Sequence, residues 1–210
     1  MKSINQFKDI FFYKIISRGI YGYKSILDVG CGQNSPLRLL LKNIYSEGID
    51  IHKPSIDKSE KRKIHNRYIV GDIREIDTYY KPKTFDAIIA LDVIEHLRKK
   101  DGVQLLRTME RVARKKIIIL TPNEFCHQDH YDQNPYQHHK SGWNKRDFEK
   151  FGYKVYGLRS FKFIRGACAT IKYKPWIIWG IIAFITEPFL YYFPSLSYQL
   201  LAVKTLNEKK

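Results

Sequence analysis

Cysteine is scarce in this chain. Cys31, Cys126 and Cys168 are three among 210 residues, an odd and sparse set that rules against a disulfide scaffold and suits a reducing compartment. There is also no uninterrupted apolar run of the roughly 20 residues that a membrane-spanning helix needs. The most apolar stretch, Trp176 to Ile185, runs into Glu187-Pro188, which is expected to interrupt it. Residues 1–23 mix lysine with Phe7, Phe11, Phe12 and Tyr13 and lack both a continuous apolar core and a small-residue cleavage site, so they read as an amphipathic lead-in helix rather than a signal peptide. Acids are few: 21 Asp and Glu stand against 37 Lys and Arg, a net charge of +16. No internal repeat or low-complexity tract divides the sequence, and its length fits a single domain, residues 1–210.

The excess positive charge gathers in Lys58–Arg67, Arg98–Lys100 and Arg107–Lys116. A solvated lysine-rich surface is the plainest reading, an anionic membrane surface comes next, and nucleic acid is less favoured than either.

Against these absences stand two short motifs. Ile26 to Gly32 reads Ile-Leu-Asp-Val-Gly-Cys-Gly, and Gly48 to Ile51 reads Gly-Ile-Asp-Ile. An apolar strand enters a glycine turn, and a second strand ends in a carboxylate about twenty residues on. That pattern describes a pocket for a nucleoside-bearing cofactor, with backbone close to the ligand and an acid placed to accept from ribose hydroxyls. The third glycine of a dinucleotide fingerprint is missing, because Ser35 occupies its position. Asp28 sits two residues before Gly30, where a carboxylate would repel a pyrophosphate and attract an ammonium. Both features favour S-adenosylmethionine over a nicotinamide cofactor.

Asp28-Val29-Gly30-Cys31-Gly32 resembles the first motif of the class I S-adenosylmethionine-dependent methyltransferases, in their small-molecule, type 11-like branch. Further matches follow in order: Asp50, Gly71-Asp72-Ile73, Phe85 to Ala90, Asp92-Val93-Ile94-Glu95-His96-Leu97 and Ile117 to Asn123. The similarity runs over residues 22–160 and resumes at 197–204. Asn34 stands where the family often has a further glycine, and Asn tolerates left-handed backbone better than most residues. The resemblance implies that Asp28, Gly30, Cys31 and Gly32 hold the methionine end and that Asp50 with Ile51 holds the ribose. It places Asp72 and Ile73 at the adenine and Asp92 near the methionine part.

The alternation of strand and helix signals predicts an α/β fold, a Rossmann-like doubly wound sheet of seven strands, mostly parallel with one antiparallel strand near the C-terminus. The strands are expected at 24–30, 45–50, 68–71, 84–91, 116–120, 153–160 and 197–204, with helices at 36–43, 54–63, 102–115 and 145–151. Ligands in such sheets bind outside the carboxyl ends of the strands, so Asp28, Asp50 and Asp72 are expected to converge there.

For catalysis, His96 is the nearest base, although the plainer reading of Glu95-His96 is a turn cap packed on the cofactor. Residues 124–144 form an acceptor-side loop with four of the seven histidines, His127, His130, His138 and His139. His138 or His139 is expected at the acceptor. Cys126, His127, His130 and Asp132 match no strong zinc spacing, so no metal is expected there. Cys31 reads as a small packed residue. The hydrophobic insert at 162–196 is read as a core or dimer-facing helix, a helix lying in a membrane interface, or the wall of a greasy acceptor pocket.

Together these observations point to a cytoplasmic methyltransferase, peripheral to a membrane in one reading, that acts on a small-molecule, glycan or lipid-linked acceptor. O-methylation is weakly favoured. The alternatives are an RNA or protein methyltransferase and a non-catalytic scaffold that binds the cofactor.

Overall fold

The computed structural model describes residues 10–41, 43–128, 134–166 and 169–206. Phe7, His130, Asp132 and Cys168 lie outside them. Seven strands form one sheet: β1 Ser25–Val29, β2 Tyr45–Asp50, β3 Arg67–Val70, β4 Phe85–Leu91, β5 Ala113–Pro122, β6 Lys154–Phe161 and β7 Ser197–Thr205. Their order is β3-β2-β1-β4-β5-β7-β6. The pairs from β3 through β5 are parallel, and β7 runs antiparallel to both β5 and β6.

The inner strands are apolar on both faces, as a sheet covered on both sides requires. Ile117 and Ile119 of β5 face one core cluster, and Ile118 and Leu120 face the other. The first cluster receives Leu105, Leu106, Met109 and Val112 from α4, Lys99–Val112, which follows α2 (Lys53–Lys61) and α3 (Ile76–Tyr79). The second receives Phe12, Ile16 and Ile20 from α1, Ile10–Ile20, at the four-residue spacing that puts them on one stripe. α5, Lys145–Glu149, starts with a capping box between Asn144 and Asp147.

Three expectations need correction. The helix expected at 36–43 is a single tight turn, Pro36–Leu39, and Asn43 stands at φ 66°, which no helix can pass through. The helix expected at 102–115 is displaced toward its N-terminus. Pairing of Ala113 with Phe85 of β4, and ion pairs of Arg114 and Lys115 with Asp86, draw residues from Ala113 onward into β5. The insert helix is not interrupted by Glu187-Pro188. α6 spans Trp176–Leu190 with Pro188 inside it, and Glu187 is folded inward at 3% exposure, accepting from the Arg159 amide at 2.9 Å.

Candidate cofactor and acceptor site

The carboxyl ends of β1 to β4 open on a cleft of about 460 Å³, within the usual range for small-ligand sites. Gly30, Asp50, Ile51, Asp72 and Ile73 line it from the first three strands, and Asp92, Val93 and His96 from the segment after β4. The exposed bases Arg74, Arg98, Lys100 and Lys140 also border it.

The glycine turn folds over the end of β2, with Gly30 and Cys31 amides donating to the Ile49 carbonyl at 2.8 and 3.2 Å. Gly30 has φ +68°, and a Cβ there would stand 2.6 Å from Val93 Cγ2. Only glycine fits, and its backbone is thereby presented to the cleft. Asp50 is held by two backbone donors, Gly32 N to Oδ2 and His52 N to Oδ1, each at 2.8 Å. Burial lifts its carboxyl above the usual range, and these two hydrogen bonds pull it back. Asp72 caps the turn after β3, accepting from Arg74 N at 2.9 Å. The Arg74 guanidinium holds its carboxyl below the usual range.

Asp92 takes the left-handed φ of 54°, rare for a non-glycine residue and a form of strain that gathers at functional sites. Its surface is exposed to the cleft, yet it lies deep among protein atoms. That depth pushes its carboxyl up to about 6, against the Arg159 charge and the Gln199 amide. Gln199 donates to Oδ1 at 2.7 Å from β7, 107 residues away, a partner that no local sequence signal could reveal.

Beside Asp92, Glu95 is 2% exposed. Its Oε2 accepts from the Thr121 hydroxyl at 2.8 Å, while Oε1 has no partner. Burial, then the Asp92 charge, raises its carboxyl well above the ordinary value. The Glu95 carbonyl accepts from Lys140 N and Ser141 N at 2.8 and 3.1 Å, which ties the end of the 124–144 loop to this turn. His139 is thus carried beside His96, ring centroids 4.8 Å apart. Burial lowers both imidazoles, His96 to about 4.

The structure separates the expected site residues. Gly30, Asp50, Ile51, Asp72, Ile73, Asp92 and His96 share the cleft. Asp28 does not reach it. Asp28 pairs in register with Gly48, whose missing side chain leaves room for the His65 ring, and His65 Nε2 stands 3.2 Å from Asp28 Oδ2. Cys31 is packed at 4% exposure, and burial with the nearby Asp28 and Asp50 charges drives its thiol far up, so it stays protonated. Gly32 acts indirectly, through its bond to Asp50. His138 offers its carbonyl to His96 Nδ1 at 3.3 Å, and His139 is buried beneath the loop. Of Cys126, His127, His130 and Asp132, which were not expected to bind a metal, the last two lie outside the described residues. Sequence reasoning passed over Glu95 as a reactive group. Its place between two cleft-facing residues was the available signal.

Residues 27–120 match the family described as "Methyltransferase domain". That match identifies a methyltransferase domain over those residues. Class I methyltransferases draw their methyl group from S-adenosylmethionine. Solved structures agree on the fold. The methyltransferase is 17% identical to a SAM-dependent methyltransferase from Archaeoglobus fulgidus, covering 97% of this chain and 100% of that one with a TM-score of 0.59. It is 18% identical to the methyltransferase domain of bacterial-CtHen1-C, over 98% and 100% of the two chains, with a TM-score of 0.59. It is 14% identical to phosphoethanolamine N-methyltransferase 2 of Haemonchus contortus in complex with S-adenosyl-L-methionine, over 95% and 53%, with a TM-score of 0.61. No curated protein matches its sequence.

Proposed function

We propose that this methyltransferase transfers the methyl group of S-adenosylmethionine to a hydroxyl of a small molecule, glycan or lipid-linked intermediate, working at an anionic membrane surface. The carrying observation is the convergence of Asp50, Asp72, Asp92 and the Gly30 backbone on one cleft. In this reading Asp50 accepts from the ribose hydroxyls, Ile51 and Ile73 flank the adenine, and Gly30 and Asp92 meet the methionine part. The residues fit the group: Gly30 turns at φ +68°, where an added side chain would be strained and would strike Val93, so bare backbone borders the cleft, and the cleft carries the carboxylates that an ammonium and a ribose need.

The sulfonium supplies an already activated leaving group, so the protein contributes mainly alignment, which can be worth ~7–11 kcal/mol. A hydroxyl acceptor must also lose a proton. His96, held neutral at pH 7 and bordering the cleft, is placed to receive it.

Support for the membrane surface comes from α6. Ile177, Ile178, Ile181, Phe184, Ile185 and Phe189 are each at least 53% exposed. From Pro175 to Tyr198 the only charged side chain is Glu187, which is buried. No described helix is long and apolar enough to cross a membrane. An apolar face of this kind, next to Lys172 and Lys174 in a chain of net charge +16, suits shallow insertion among anionic headgroups. The same net charge opposes pairing of two copies. Flotation with vesicles of anionic and of zwitterionic lipid tests this. Binding to anionic vesicles is expected, and Ile181→Glu with Ile185→Glu should abolish it without lowering the melting temperature. Failure to float at low salt rejects the membrane reading.

A second reading has its own observation. Arg74, Arg98, Lys100 and Lys140 around the cleft suit an anionic acceptor such as RNA. One protein of the same fold is the small RNA methyltransferase HEN1, 16% identical. Binding of RNA with a steep salt dependence would favour that reading.

A further inference from the structure

We infer that Glu95, His96 and His139 form a binding site for one divalent transition-metal cation at the acceptor side of the cleft. Among the described residues these three bring one ligand atom each to within 4.8 Å of one another.

The hydrogen bonds around them have the form that metal-binding imidazoles need. His96 Nδ1 contacts the His138 carbonyl, and His139 Nδ1 contacts the Cys126 carbonyl. A carbonyl can only accept, so each Nδ1 carries its proton and each Nε2 keeps a lone pair. Outer hydrogen bonds from the distal ring nitrogen to carbonyls fix the tautomer of metal-ligating histidines in the same way. Both rings are neutral near pH 7, the ligating form. The third group is Glu95, whose Oε1 is buried without a partner. A buried carboxylate with one orphaned oxygen is costly, and a cation there would offset that cost. Thr121 holds the other oxygen as an outer partner.

Two imidazoles and one carboxylate suit Zn²⁺, Co²⁺ or a similar borderline ion. Tetrahedral ligands at zinc bond lengths stand about 3.4 Å apart, so the three groups must draw together slightly. His96, part-exposed on its turn, is the one able to move. Three protein ligands leave a coordination position open, and His96 borders the cleft. If the methyltransferase reading above holds, an acceptor hydroxyl would fill that position in place of direct proton removal by His96. Coordination lowers the hydroxyl pKa and its proton passes to solvent. The oxygen lone pair then attacks the methyl carbon, the carbon–sulfur bond breaks, and its electron pair remains on sulfur as the neutral thioether.

The test uses the full chain, stripped with a chelator and titrated with Co²⁺ alone, followed by ligand-field absorption and calorimetry. One equivalent of Co²⁺ is expected to bind, with a spectrum of mixed nitrogen and oxygen ligation, and Zn²⁺ should displace it. His139→Ala, His96→Ala and Glu95→Gln should each weaken binding by about 100-fold or more, beyond the ~10–100-fold typical of losing an outer partner. His127→Ala should leave it unchanged. Circular dichroism checks folding, and part-exposed His96 carries the test if His139→Ala does not fold. Absence of a stoichiometric band in folded wild-type protein, or unchanged affinity in His96→Ala, overturns the inference. S-adenosylmethionine titrated into the same stripped protein separates the two claims: cofactor binding without Co²⁺ binding removes the metal site and leaves the methyltransferase reading intact.

Discussion

At the scale of single residues, the chemistry of this molecule lies in carboxylates placed at strand ends with very different surroundings. Asp72 is paired with Arg74, Asp50 accepts from two backbone amides, and Asp92 accepts from Gln199 with the Arg159 charge acting on it. A carboxyl raised by folding takes up a proton in the native state. Its stabilising contribution is full below the unfolded value near 3.9 and is lost as pH rises through the folded value. For Asp92 that window runs from about 4 to about 6, and Glu95 extends it upward. In chelator-treated protein the melting temperature should therefore fall as pH rises across this range. Asp92→Asn, which keeps an oxygen for Gln199, should flatten the slope. A slope identical to wild type would show that Asp92 is not the titrating group. Asp50 was legible from its position at the end of β2. The inward turn of Asp28 was not, because it depends on the absent side chain of Gly48 and on a histidine 37 residues away.

At the scale of elements, the sequence located every strand to within about three residues, most securely β1, β2, β4 and β5, where a family motif marks the strand. Helices were less legible. Pro36 opens a segment that the pattern reads as helical, but the connection closes in one turn. Pro188 was read as a break, yet α6 continues to Leu190, since inward Glu187 and Leu190 anchor it against β6. The loop after β5 is fixed by contacts that no local rule reveals. Lys99 Nζ donates to the Gly142 carbonyl at 2.6 Å and to Asp147 at 2.7 Å, and lies 3.8 Å above the Trp143 ring. Trp143 is 1% exposed, packed on Phe148 and against Gly102 of α4. Trp143→Ala should cost about 3–5 kcal/mol in urea unfolding, the range for large aromatic truncations. It should also loosen His139, which that loop carries. A cost under about 1 kcal/mol would mean that the loop is held elsewhere.

At the scale of the whole molecule, a seven-stranded sheet gathers residues from four strand ends into one cleft while its last connection builds an apolar outer face. The motif order made the sheet topology legible, because each fingerprint marks a strand end and strand ends share one edge of a parallel sheet. The exposed apolar surface of α6 was not legible, since sequence alone cannot tell a buried greasy helix from an uncovered one. The most direct measurement is calorimetric titration of S-adenosylmethionine into the wild-type chain and into Asp50→Ala. One site per chain is expected. Asp50→Ala should weaken it by about 10- to 150-fold, the loss of a charged hydrogen-bond partner worth ~1.5–3 kcal/mol. Wild-type protein that binds neither S-adenosylmethionine nor its demethylated product at millimolar ligand, or an Asp50→Ala chain that binds as tightly as wild type, would contradict the placement of the cofactor in this cleft.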